Sequence, residues 1–222
     1  MRFLLAGDSH VRHIMEHVCP PPNQNPEFNI NWANMKFPTD EAVFESCSIG
    51  GCRIRDLLPG SLHPRRGGFA AELDHTIKHF KPHGIFLFIG TNDIGRQNES
   101  PYELALRLYS TATTLKNRYI SVRFFAITQI LPQYPEARGN TNSFNAFALE
   151  VNEHLLNLCR EADRSMFFAR VNILFPSQSS NSYWQARELF KDDGVHLNHL
   201  GVKKFLFRFR PTVIIALLAL RH

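Results

Sequence analysis

Short apolar runs alternate along the chain with stretches in which apolar residues recur every three or four positions. The runs read as strands buried on both faces, at about Arg2–Ala6, Ala42–Ser48, Gly84–Ile89, Val122–Ile130 and Met166–Ile173. Between them lie helical patterns at about His10–Val18 and at Phe69–Phe80, the latter ending near Pro82. Ser100-Pro101-Tyr102-Glu103 combines a capping serine, a proline in the first position and a glutamate at the third, and it starts a helix running to about Lys116. Phe144, Phe147, Val151, Leu155 and Leu158 fall at helical spacing and mark one buried face. Helical pattern returns after His196 with an interruption expected at Pro211, and Val213 to Leu220 reads as a packed C-terminal helix too short to cross a bilayer. The segment 19–40, rich in Pro and Asn, reads as a long loop.

Strands alternating with helices predict a parallel sheet covered on both sides. The expected fold class is α/β: a three-layer α/β/α sandwich with a five-stranded parallel sheet, flavodoxin-like, forming one domain over residues 1–222. Ligands of such sheets bind at the carboxyl ends of the strands. Ser9 follows the first strand, Gly51 the second and Asn92 the third, so all three are expected at one edge.

Composition narrows the partners only a little. The 222 residues suffice for a well-filled core, and the apolar share of 44 % is ordinary for a globular chain. Many of the 19 phenylalanines fall in short strand-like runs such as Phe86-Leu87-Phe88 and Phe124-Phe125-Ala126. A net charge of +5 permits an anionic partner without demanding one, and the small basic groups read as solvated surface. Cys19, Cys47, Cys52 and Cys159 match no zinc spacing and are expected as free thiols. Met1 leads straight into a short apolar strand with no cleavage pattern, which gives an expectation of an intracellular, cytoplasmic protein.

The chemistry-bearing residues lie in four short pieces. Ser9, in Gly7-Asp8-Ser9, sits where a strand turns into a helix, so its hydroxyl would be exposed and its N–H would point out of a helix N-terminus. A plain N-cap is the competing reading. Gly51, in Gly50-Gly51, lets a substrate approach the backbone and can donate its N–H to an oxyanion; a turn is the alternative. Asn92, in Gly90-Thr91-Asn92-Asp93, can supply a side-chain amide for the same purpose, against the alternative of an Asn/Asp turn. Asp193 precedes His196 by three residues, so within one turn its carboxylate can accept from one ring nitrogen and leave the other to take the Ser9 proton. Asp192 is a nearby competitor whose spacing suits the role less well. A second glycine after Ser9, which a nucleophile elbow would require, is missing. Histidines four apart, His75, His79 and His83 and also His13 and His17, lack a carboxylate or third ligand to complete a metal site.

In this order, these blocks resemble the SGNH (GDSL-type) hydrolase family: Gly7-Asp8-Ser9 its first block, Gly51 its second, Gly90-Thr91-Asn92-Asp93 its third, and Asp193 with His196 its last. His10 stands where the family usually has leucine, and Gly7-Asp8-Ser9-His10-Val11-Arg12 is similar to esterase-like domains of some retrotransposon proteins. Pro211 is a second departure. The resemblance implies Ser9 as nucleophile, His196 as base and Asp193 as its orienter. It also implies an oxyanion hole from the Ser9 and Gly51 amides and the Asn92 side chain, with no metal or organic cofactor. The implied activity is a serine esterase acting through an acyl-enzyme on short-chain acyl or O-acetyl esters of small molecules, lipids or sugars. Two alternatives remain open: acyl transfer by the same triad, and a nucleic-acid or protein binding module on the same fold, suggested by the basic balance and the Phe205–Arg210 stretch.

Overall fold

A computed structural model describes residues 1–18, 41–60, 68–95, 98–134, 141–161, 166–171 and 186–221. The expected loop at 19–40 lies outside these residues. The described elements are β1 (Arg2–Gly7), α1 (Ser9–Val18), β2 (Val43–Ser48), a 3-10 turn (Ile54–Leu57), α2 (Phe69–Phe80), β3 (Gly84–Phe88), α3 (Pro101–Arg118), β4 (Phe124–Thr128), α4 (Thr141–Glu161), β5 (Met166–Ala169) and α5 (His199–Arg221). The strands form one five-stranded sheet in the order β2-β1-β3-β4-β5. Every pairing is parallel, with Leu5 of β1 opposite Ser46 of β2 and Phe86 of β3. The predicted three-layer architecture is therefore present.

The layers follow from the two-residue period of a strand. Phe3, Leu5, Phe86, Phe88, Phe124 and Ala126 point to one side, where they bury against α1 and α5. Leu4, Ala6, Ile85, Leu87, Phe125 and Ile127 point to the other, against α2, α3 and α4. Buried on both faces, β1, β3 and β4 have no polar position to spare, which is why they read as unbroken apolar runs. The α5 side is a layer of phenylalanines. Phe209 meets Phe86 edge-on at 4.7 Å, Phe205 lies 5.7 Å from Phe88, and the two α5 rings stack on each other at 5.5 Å. This layer clamps α5 over the centre of the sheet.

The predicted helix ends hold where local chemistry sets them. Ser100 Oγ accepts from Glu103 N at 3.2 Å while Ser100 N donates to Glu103 Oε2 at 2.7 Å, the expected capping box of α3. On α4, Val151 and Leu155 are buried and Phe144, Phe147 and Leu158 pack against the same core. Against the expected runs, β1 extends one residue further, to Gly7, β2 and β3 are one residue shorter, and β4 is trimmed at both ends to Phe124–Thr128; β5 ends at Ala169, and residues 172–173 of its expected run lie outside the described residues.

The expected interruption at Pro211 is a correction: α5 runs unbroken through it. Proline in a helix removes one N–H and crowds the carbonyl four residues back. Here that carbonyl belongs to Phe207, and both Phe207 and Pro211 lie on the exposed face, where water can satisfy the released oxygen. Phe205, Leu206 and Phe209 before the proline and Thr212, Val213 and Ala216 after it are all buried on the opposite face. Continuous packing on both sides outweighs one lost bond. The same packing removes most of the aromatic character from the Phe205–Arg210 stretch, since Phe205 and Phe209 belong to the core and Phe207 alone is exposed. Among the described residues no helix is long and apolar enough to cross a membrane.

Truncating a core ring tests the clamp. Phe209→Ala is expected to cost about 3–5 kcal/mol of stability, because it removes a fully buried ring and its contacts with Phe86, Phe88 and Phe205. Urea denaturation checks this, and a loss below about 1 kcal/mol would contradict the packing account.

Candidate active site

The position of Ser9 begins with a glycine. At Gly7, φ is +151°, and a Cβ there would sit 1.9 Å from the Phe88 carbonyl oxygen, so no side chain fits between the ends of β1 and β3. The chain then turns at once into α1. Asp8 N donates to Phe88 O at 3.0 Å, and Asp8 Oδ1 accepts from His10 N at 2.9 Å. Asp8 thus performs the capping that Ser9 was expected to compete for. The Ser9 hydroxyl instead lies 2.8 Å from His196 Nε2.

His196 is presented by a short closed loop. Phe190 and Leu197 form an antiparallel bridge, Lys191 N donates to His196 O at 2.7 Å, and Gly194 N donates to Lys191 O at 3.0 Å. Inside the loop, Asp193 Oδ1 accepts from the backbone N–H groups of Val195 and His196, each at 2.9 Å, and Asp193 Oδ2 lies 2.7 Å from His196 Nδ1. Partial burial pushes the Asp193 carboxyl up. The bonds from His196 N, the His196 ring and Val195 N outweigh this and bring it down to about 2. Asp193 is therefore an anion at any neutral pH. It is this carboxylate, rather than Asp192, that meets the ring.

Asn198 joins the loop to α5. Its Nδ2 donates to Glu188 O and Phe190 O, at 2.7 and 3.1 Å, and its Oδ1 accepts from Gly201 N at 3.0 Å, capping the helix. Gly201 allows the fit, since a Cβ there would stand 1.9 Å from Leu189 O. Neither residue was singled out in the sequence, although Asn three residues before Gly at a helix start was a readable cap.

Gly51 and Asn92 meet at the same strand edge. Ile49 N donates to Gly7 O at 3.1 Å, tying the end of β2 to the end of β1. Gly51 follows in a turn with φ +72°, closed by Cys52 N donating to Ile49 O at 3.2 Å. Asn92 Nδ2 donates to Cys52 O at 3.1 Å, which holds the amide beside the glycine turn and leaves its second N–H for another acceptor. Asp93 is structural. Its Oδ2 accepts from Ile54 N at 3.2 Å and its Oδ1 faces Arg107 at 3.3 Å, while Arg107 also pairs with Glu99 at 2.8 Å. One half of the Asn/Asp pair holds loops together and the other aims an amide.

Two further histidines of α1 surround His196. The His10 ring centroid lies 5.3 Å from that of His196, and the His13 ring 4.2 Å. Burial, then the nearby His196, hold His10 down to about 3. Asp8 is buried too, and burial raises its carboxyl to about 7 against the opposing His10 N–H bond and His196. Asp8 and His10 line a cavity of about 10 Å³ with Phe88, Thr91, Gln129 and Leu131, room for roughly one water. The remaining histidine pattern does other work. His83 Nδ1 accepts from Arg2 N at 3.0 Å, which aligns β1 with β3, and His75 packs on His79 at 4.1 Å. Cys47, Cys52 and Cys159 are buried free thiols, and Cys19 lies outside the described residues.

A family model for GDSL-like lipase/acylhydrolase matches residues 11–207. The chain belongs to that family. Membership makes it a hydrolase acting on ester bonds, and the match begins just after the Gly7-Asp8-Ser9 block. Comparison with the curated proteins finds no match. Among solved structures, the fold is similar to a GDSL-like lipase from Bacteroides thetaiotaomicron (14 % identity, TM-score 0.59, covering 96 % of this chain and 87 % of that one). It is similar also to a carbohydrate esterase family 3 protein from Talaromyces cellulolyticus (13 % identity, TM-score 0.63, 98 % of each chain). A third, TesA, shares 16 % identity at a TM-score of 0.57, over 96 % of this chain and 98 % of that one. At these identities the likeness shows the fold alone.

The Asp8 environment predicts a pH dependence. The folded carboxyl keeps its proton up to about pH 7, whereas the ordinary value is 3.8. Between those values the folded state binds more protons, so this group's contribution to stability falls as pH rises toward 7 and stays low above it. Asp8→Asn keeps the cap acceptor and cannot ionise. Its Tm is expected to match the wild type near pH 4 and to exceed it by a few degrees at pH 8. A difference independent of pH would refute the buried-acid account.

Proposed function

We propose that the protein is a serine esterase in which Ser9 attacks the ester carbonyl, His196 serves as base and then acid, and Asp193 orients and steadies the imidazole. The observation that carries this reading is the hydrogen-bonded line Ser9 Oγ, His196 Nε2, His196 Nδ1, Asp193 Oδ2, with contacts of 2.8 and 2.7 Å. Because Asp193 Oδ2 accepts the hydrogen bond from Nδ1–H, the ring proton stays on Nδ1 and Nε2 is left with its lone pair toward the serine. As Ser9 Oγ bonds to the carbonyl carbon, its proton moves to Nε2 and the carbonyl oxygen becomes an oxyanion. The Ser9 and Gly51 N–H groups and the second N–H of Asn92 would hold that charge. Collapse expels the alcohol, which takes the proton from His196. Water then attacks the acyl-enzyme by the same route in reverse, releasing the acid and restoring Ser9.

The acyl group we propose is short, acetyl in the first instance, as the family resemblance implies.

The test is labelling with a fluorophosphonate probe followed by peptide mass spectrometry. An adduct on Ser9 in the wild type and none in Ser9→Ala is expected, with hydrolysis of p-nitrophenyl acetate lowered at least about 10³-fold in Ser9→Ala and His196→Ala. Absence of an adduct on folded wild-type protein overturns the reading. Asn92→Ala is expected to lower kcat about 10²–10³-fold with little change in KM, because an oxyanion donor acts on the transition state. Wild-type kcat in that variant would remove Asn92 from the hole.

A further inference from the structure

His13 lies one turn beyond Ser9 on α1, at the i, i+4 spacing that places two side chains on one face of a helix. Its ring sits 4.2 Å from the His196 ring, tilted by 53°. On its other side, Lys191 Nζ lies 3.0 Å from His13 Nδ1. Lys191 is also the residue whose backbone closes the His196 loop, through its N–H to His196 O. One lysine therefore connects the loop bearing the base to the helix bearing the nucleophile, by way of a histidine packed against that base.

We infer that His13 is a positioning residue of the esterase: held as a neutral ring by Lys191, it packs on His196 and steadies the imidazolium that forms when Ser9 gives up its proton. This rests on the reading of Ser9 and His196 proposed above. An ammonium can only donate, so a ring nitrogen facing it at hydrogen-bond distance must carry a lone pair. That makes His13 the neutral tautomer with its proton on Nε2. Glu16 Oε2 stands 3.1 Å from the same Nδ1, and it could bond there only if that nitrogen carried a proton. The two arrangements exclude each other.

The surroundings decide between them. Arg12 and Glu16 face His13 from its own helix, and Lys191 and His196 face it from the loop; beyond His196 stand His10, Asp8 and Asp193. Burial, then His196 and Lys191, outweigh Glu16 and bring the ring down to about 4, so it stays uncharged across the neutral range. His10, fully buried, needs no such partner. His13 is only half-buried, and Lys191 compensates for the solvent it retains. A neutral aromatic face attracts a cation set against it, whereas a second imidazolium would repel the one forming on His196.

Four variants test this: His13→Ala, His13→Lys, Lys191→Met and the double variant Lys191→Met/His13→Phe. The readouts are the rate of fluorophosphonate labelling of Ser9 and the pH profiles of kcat and kcat/KM on p-nitrophenyl acetate, with thermal melts to check folding. His13→Ala is expected to lower kcat and the labelling rate about tenfold at unchanged KM, because the base is less well held. His13→Lys sets a fixed charge beside His196, so the acid limb of kcat/KM should move to lower pH while kcat falls. Lys191→Met should let His13 take a proton, and the charge then standing beside His196 should place the acid limb of this variant at lower pH than that of the double variant, in which phenylalanine keeps the ring and cannot titrate; the direct effect of the lost Lys191 charge is common to both and cancels in the comparison. The inference is overturned if His13→Ala matches the wild type in kcat and labelling rate, or if the acid limbs of Lys191→Met and the double variant coincide. Wild-type protein labelled at Ser9 with indistinguishable variants sinks this inference alone. Unlabelled wild-type protein sinks the esterase reading and this inference with it.

Discussion

The hydrogen bond between Ser9 and His196 joins residues 187 positions apart, and most of the described structure bears on its 2.8 Å length. Ser9 is placed from one side by Gly7, which lets β1 and β3 close together, and by the Asp8 cap that starts α1. His196 is placed from the other side by α5. Phenylalanine contacts hold that helix to the sheet, and Asn198 and Gly201 fix where it begins. A rigid core on one face of a parallel sheet is what lets two distant segments meet at hydrogen-bond distance.

Charge is distributed around this bond by environment more than by residue type. Two carboxylates flank the site and behave in opposite ways. Asp193 is half-exposed and accepts three N–H bonds, so it stays ionised. Asp8 is buried, with His10 N donating to its carboxylate, and burial outweighs that bond, so it resists ionisation. Of the three clustered imidazoles, His10 is held neutral by burial and His13 by burial together with cationic neighbours. Around His196, one anion and two uncharged rings therefore face the imidazole. If His196 acts as the base proposed above, this arrangement favours the imidazolium that forms on it.

Much of the molecule was legible in the chain because its signals are local. Strands buried on both faces announce themselves as apolar runs, and the capping box of α3 needs only Ser100 and Glu103. The Asp193–His196 pair closes within a single turn, so its spacing sufficed. The break expected at Pro211 was illegible for the opposite reason. Whether a proline ends a helix depends on what the residues around it bury, and the rings that hold α5 together come from β3.

The element order, the two-residue alternation that sorts side chains between two cores, and the chemical groups available at the strand ends are readable in the chain alone. Those follow from periodicity and residue chemistry, which need no partner. The tertiary structure alone decided that Asp8 caps α1 and frees the Ser9 hydroxyl, that Asp93 pairs with Arg107 while Asn92 turns toward the glycine loop, and that Lys191 reaches across to His13. Each of these is a choice among several hydrogen-bond partners of similar chemistry. Such a choice is settled by which groups are brought within about 3 Å and shielded from water, a property of packing that no single segment carries.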